Sequence, residues 1–215
     1  SLAPNRAGRR LSENTPDAAL AREARELHRR YLIELIERFS ICPWAKTART
    51  EERMRTHVIV EREASEDDLR TVVEGWAADD SVDVAFVIAP LFDGGYEAFV
   101  RWSETLGPLS RDAFLSAAFH PSPPEPAGTI RFLRRTPHPT VQLVRRSRLE
   151  EIRAQDPPHY TDIFELDLRD IERGKPPAVT VAASVLAHNE RLLNTESAPQ
   201  IQAIIEGQAP PLKNE

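Results

Sequence analysis

The chain has 215 residues, a formal net charge of −6 and one cysteine. Its 40% hydrophobic and 29% charged residues are typical of a globular protein, and the acidic balance argues against a dedicated nucleic-acid binder. No apolar run approaches the roughly 20 residues of a membrane-spanning helix, and a single cysteine cannot form an internal disulfide. We therefore expect a cytoplasmic protein with neither a membrane nor a nucleic-acid partner.

The beginning of the chain predicts a tail followed by a long helix. Residues 1–15 are polar and aperiodic, and no apolar segment follows their basic residues, so we expect a flexible tail and no secretory signal. Thr15, Pro16 and Asp17 have the capping, first-turn and acidic character of a helix start. Apolar residues then recur every three or four positions as far as Phe39. This spacing predicts an amphipathic helix of about six turns.

Four later segments have the pattern of strands. Ser65 and Asp68 resemble a capping box before a helical stripe that runs to Trp76. The turn at 93–95 precedes another helical stripe through Phe99. A proline-rich loop over 121–139 separates the last two strands, because proline is excluded from helix interiors and central strands. The predicted strands are 55–63, 82–90, 113–121 and 139–146, and later helices are predicted at 147–154, 160–173, 178–194 and 197–207.

The order of these elements predicts an α/β fold. Helices that alternate with buried strands indicate a layered domain around a mainly four-stranded sheet. A doubly wound sheet and an open, ferredoxin-like α/β sandwich both fit this order. We favour the open sandwich because the sheet is small, and we expect additional C-terminal helices to cap the same core. The whole of 16–215 is predicted to be one domain.

Cys42 is the first candidate for a functional group. It lies between Ile41 and Pro43, and proline suits the first turn of a new helix but cannot continue the preceding one. If Cys42 caps a helix that starts at Pro43, free N–H groups face its sulfur, and the pKa of the thiol should fall. The alternative is that Cys42 is an inert, buried small hydrophobe.

Three further polar residues are candidates for a functional site because of their position or their residue type. His120 ends an apolar strand next to a loop, where it is either a catalytic base or a hydrogen-bonded structural residue. Arg135 precedes a rigid Thr-Pro-His-Pro segment, and its guanidinium suits a carboxylate or a phosphate. Asn189 lies within a predicted helix, where it either turns inward to orient a partner or is simply exposed.

Three short motifs resemble those of an uncharacterised bacterial family, the domain of unknown function numbered fourteen-fifteen. They are Cys42-Pro43-Trp44-Ala45, Ala118-Phe119-His120-Pro121 and Arg135-Thr136-Pro137-His138-Pro139-Thr140, within a resemblance that spans about residues 17–195. The resemblance implies that Cys42, His120 and Arg135 hold motif positions, with Asn189 matching less clearly. Gln142 departs from the family, which often has a histidine there.

Three functional hypotheses follow, and no motif points to a particular cofactor. The first is an enzyme for a small anionic substrate, with Cys42 as nucleophile, His120 as general base and Asn189 as its orienting partner. In this hypothesis Arg135 clamps the anion, and Trp44, His138 and Arg145 complete the substrate site. The second is a metal site made by Cys42, His120 and His138. The third is a non-catalytic module that binds an anion or a protein.

Overall fold

A computed structural model describes residues 15–42, 44–62, 65–122, 135–153, 181–195 and 197–205. The predicted helix at 160–173 lies wholly outside these residues, and so do most of the predicted N-terminal tail and most of the predicted proline-rich loop. Pro43, predicted as the first residue of a helix, also lies outside them.

The described elements are helices that alternate with short strands. The strands are β1 (Met54–Val58), β2 (Val84–Ile88), β3 (Phe114–Phe119) and β4 (Thr140–Arg145). The helices are α1 (Pro16–Tyr31), α2 (Ala45–Thr50), α3 (Glu66–Ala78), α4 (Tyr96–Ser103), α5 (Leu106–Leu109), α6 (Arg146–Arg153), α7 (Val181–Leu193) and α8 (Ser197–Ile205). The predicted α/β fold with a four-stranded sheet and C-terminal helices is confirmed.

The four strands form one mixed sheet in the order β1-β2-β4-β3. β1 and β2 are parallel, whereas β4 is antiparallel to both β2 and β3. Phe86 of β2 is the register partner of Gln142 of β4, which in turn is opposite Ala117 of β3. β2 and β4 are therefore the inner strands.

The first helix begins as predicted and changes its pitch before it ends. The Thr15 hydroxyl accepts a hydrogen bond from the Ala18 N–H at 3.2 Å, which caps the helix. After α1 the chain continues as a π-helical segment, Leu32–Glu37, and such wide turns are frequent at functional sites. Ser40 then adopts a positive φ of 52°, which ends the helix just before Cys42.

The sheet separates two hydrophobic clusters, because successive side chains of a strand point to opposite faces. Ala85 and Val87 of β2 belong to the first cluster, with residues of α3, α4 and α5. Phe86 and Ile88 of the same strand belong to the second cluster, with residues of α1, the π-helical segment and α8. Cys42 packs at the edge of the second cluster, so it lies on the side of the sheet that α1 covers.

Candidate functional site

A cavity of about 340 Å³ lies on the α1 side of the sheet. This volume is within the range of sites that bind small molecules. Its apolar wall consists of Leu32, Ile36, Ile41, Ala45, Ala48, Met54, Val84, Phe86, Phe119, Val144, Leu149 and Val185. The polar and ionisable residues that line it are His28, Tyr31, Cys42, Trp44, Thr47, Glu51, Asp83, Thr136, Thr140, Gln142, Arg148 and Asn189. Most of the cavity surface is apolar, although polar side chains from several separate segments also contribute to it.

Cys42 reaches this cavity because the chain turns sharply after the π-helical segment. The Ile41 N–H bonds back to the Ile36 carbonyl at 2.9 Å, which anchors the turn. Burial raises the pKa of the Cys42 thiol, and the backbone N–H groups of Trp44 and Ala45 lower it by less. The prediction that the thiol pKa falls is therefore wrong. The expected N–H groups are present, but loss of water around the sulfur outweighs them.

His28 lines the cavity but was not predicted as a site residue from the sequence. It is only 4% exposed, and its ring makes an edge contact with Phe86 at a centroid distance of 4.5 Å. Neither ring nitrogen has a hydrogen-bond partner among the described residues. Burial, together with the neighbouring His138, lowers the pKa of His28 from 6.5 to about 4. The side chain is therefore a neutral imidazole at physiological pH.

A signal for His28 is visible in the sequence. It lies four residues after Ala24 and three residues before Tyr31, both of which are buried on the apolar stripe of α1. A histidine at such a position must be buried when the stripe packs on the sheet. Its polar atoms then need partners, either within the protein or on a ligand.

Asn189 lies on α7 and turns inward to the cavity. Its Nδ2 group donates to the Ile41 carbonyl at 3.4 Å, whereas its buried Oδ1 has no hydrogen-bond partner among the described residues. The neighbouring His188 also bonds to this turn, through Nε2 and the Phe39 carbonyl at 2.9 Å. α7 is thus tied to the segment that presents Cys42, and Asn189 contacts that segment rather than His120.

Two of the charged groups at the cavity, Asp83 and Arg148, are already paired. Asp83 is buried and accepts two hydrogen bonds from Arg53, at 2.6 and 2.8 Å. Arg148 lies 3.6 Å from the same carboxylate and donates to Glu151 at 2.8 Å. Arg148 is the only arginine or lysine among the described lining residues. Its positive charge is therefore neutralised by carboxylates of the protein.

His120 lies apart from Cys42. It is buried, its Nδ1 accepts from the Ser122 N–H at 3.1 Å, and its ring packs against Phe99 at a centroid distance of 5.9 Å. Phe99 belongs to the cluster on the other face of the sheet. His120 is also absent from the described residues that line the cavity. The structure therefore does not bring the expected base to the thiol.

The predicted arginine clamp is also located elsewhere. Arg135 donates to the Pro121 carbonyl at 3.2 Å and to the Gln202 side chain at 3.4 Å, and it does not line the cavity. Arg145 is 9% exposed and donates to the carbonyls of Val82, Trp76 and Asp79, at 2.6 to 2.9 Å. Its surroundings are those of a structural residue, because backbone carbonyls occupy its donors.

Of the two remaining predicted site residues, one lines the cavity and the other does not. Trp44 lines the cavity next to Cys42. His138 is half-buried, which lowers its pKa, and its carbonyl accepts from the hydroxyls of Thr136 and Thr140 at 2.7 and 2.8 Å. In the described ranges no three histidine, cysteine, aspartate or glutamate side chains form a metal-binding group. The alternative metal site of Cys42, His120 and His138 thus has no support there.

Comparisons with protein-family models, with curated proteins and with solved structures find no match for this chain. Among the described residues, no helix combines the length and the apolar character that crossing a bilayer requires. The resemblance of the three motifs to the domain of unknown function numbered fourteen-fifteen therefore stays a prediction.

Proposed function

We propose that this protein binds a small organic molecule in the cavity on the α1 side of the sheet. The observation that carries the proposal is His28, a buried neutral imidazole that lines the cavity and has no hydrogen-bond partner for either nitrogen among the described residues. Leaving a buried polar group without a partner costs about 1–3 kcal/mol. A ligand that bonds to the imidazole removes this cost, which explains why a histidine occupies an apolar stripe.

Phenol and indole are suitable first probes, because each combines an apolar ring with one polar group. We expect both to produce saturable NMR shifts of the Trp44 indole N–H and of the Asn189 side-chain amide. Val144→Phe fills the cavity and should abolish these shifts. Leu115→Phe is the matched control, since Leu115 pairs with Val144 on the next strand but does not line the cavity. If neither probe gives a saturable shift in the unmodified protein, the proposal is wrong.

A second candidate is a thiol-dependent enzyme that uses the same cavity. It is favoured by the presence of Cys42 and His28 in one cavity and by two N–H groups that stabilise a thiolate. The sulfur would bond to a carbonyl carbon while its proton moves to His28; the leaving group would depart with the bonding electrons and take that proton. The sequence predicted an anionic substrate held by Arg135, but Arg135 does not line the cavity.

The reactivity of Cys42 distinguishes these two candidates. Because burial raises the pKa of the thiol, the folded protein contains less thiolate than the unfolded chain at about pH 8. We expect iodoacetamide to label folded Cys42 more slowly than the same residue in urea, as measured by mass spectrometry. Val144→Phe controls for access through the cavity. Faster labelling in the folded protein would contradict this prediction and favour a nucleophilic Cys42.

A further inference from the structure

The unpartnered polar atoms of the cavity define what a ligand must offer. A neutral imidazole has one nitrogen that donates a hydrogen bond and one that accepts, and both of those of His28 lack partners among the described residues. Asn189 adds the buried acceptor Oδ1, while its Nδ2 is engaged with the Ile41 carbonyl. These two side chains together leave two acceptors and one donor open. Because the two ring nitrogens of His28 point in nearly opposite directions, one ligand group can bond to only one of them.

The surroundings of the cavity disfavour charge of either sign. Burial lowers the pKa of His28, which disfavours a cation, and it raises the pKa of Cys42 and of Tyr31, which disfavours an anion. An anionic ligand would also meet the carboxylates of Asp83 and Glu51. Arg148, the single lining arginine, already faces Asp83 and Glu151. Asp83 and Arg148 are already paired, and Glu51 is exposed, so a charged ligand would lose its water without gaining a buried counter-ion.

We infer that the ligand is an uncharged molecule with an apolar body and a carboxamide-type head, a primary amide or a urea, which hydrogen-bonds to His28 and Asn189. This inference rests on the proposed function, because it specifies the ligand of the same cavity. A primary amide offers two N–H donors, which suit the acceptor nitrogen of His28 and Oδ1 of Asn189, the two acceptors that these side chains leave open. The apolar body would pack on the hydrophobic wall beside Phe86 and Ile36.

Three compounds with the same ring test the inference: benzamide, benzoate and benzylammonium. The readout is the rate at which N-ethylmaleimide, an uncharged reagent, alkylates Cys42. A fragment of this size binds with a Kd of about 1 mM, so about 10 mM benzamide should slow alkylation roughly tenfold. We expect benzoate and benzylammonium at the same concentration to slow it by less than about twofold.

His28→Phe should remove the protection by benzamide while toluene still protects Cys42. The variant is expected to fold, because it replaces two unpartnered buried nitrogens by carbon, and its melting temperature verifies this. His57→Phe is the matched control, since His57 does not line the cavity. Protection by benzoate that equals or exceeds that by benzamide would overturn this inference and leave the proposed site intact. If none of the probes, toluene included, protects Cys42, the proposed function fails with it.

Discussion

Between about pH 6.5 and about pH 4, His28 alone is expected to reduce the free energy of unfolding by about 3 kcal/mol. Burial lowers the pKa of His28 from 6.5 to about 4 in the folded protein. The unfolded chain therefore binds a proton at a higher pH than the folded protein, and acid favours unfolding through this window. Above about pH 6.5 the residue is neutral in both states and its contribution to the pH dependence vanishes.

Urea unfolding at several pH values measures this effect, and His28→Phe is the variant that isolates it. The carboxylates that also titrate in this window are the same in both proteins, so the difference between the two pH profiles belongs to His28. His57→Phe serves as the control, because His57 is only half-buried on β1 and its lowered pKa should produce a smaller difference. If the free energy of unfolding falls equally between about pH 6.5 and about pH 4 in the unmodified protein and in His28→Phe, His28 is not held as a buried neutral ring.

Local patterns predicted the elements of this fold well because their causes are local. The caps at Thr15 and Ser65 each depend on one hydroxyl and an N–H three residues later, at 3.2 and 3.4 Å. The continuous apolar run of β2 is typical of an inner strand, which it is. The segment 113–121 was predicted to be a buried strand like the others, but β3 lies at an edge of the sheet, because strand order depends on long connections that local patterns do not encode.

The candidate site could be predicted only in part, for a reason of sheet geometry. Cys42, Trp44 and Asn189 line one cavity, and the first two are neighbours in the chain. His120 follows Phe119, which lines the cavity, so alternation along the strand directs the imidazole to the opposite face. The sequence indicates this alternation but not which face receives α1. His28 was missed because its role depends on packing against Phe86, a contact distant in sequence.

Arg145→Met is expected to reduce the free energy of unfolding by about 3 kcal/mol. The side chain is buried, and its Nε and Nη2 atoms donate to three backbone carbonyls around the end of α3 and the start of β2. Its guanidinium carbon also lies 4.8 Å from the Phe114 ring centre, so the variant loses a cation–π contact as well. Urea unfolding at neutral pH measures the loss.

The neighbouring Arg146 supplies the control, because it is exposed and donates to the Asp112 carbonyl alone among the described residues. We expect Arg146→Met to change the stability by no more than about 0.5 kcal/mol. Arg145→Lys keeps the charge but not the planar guanidinium group, so its loss of stability should lie between those of Arg146→Met and Arg145→Met. The phenol titration separates structure from binding: a folded Arg145→Met protein should still bind phenol. Retained stability with lost binding would instead support the role in substrate binding that the sequence predicted for Arg145.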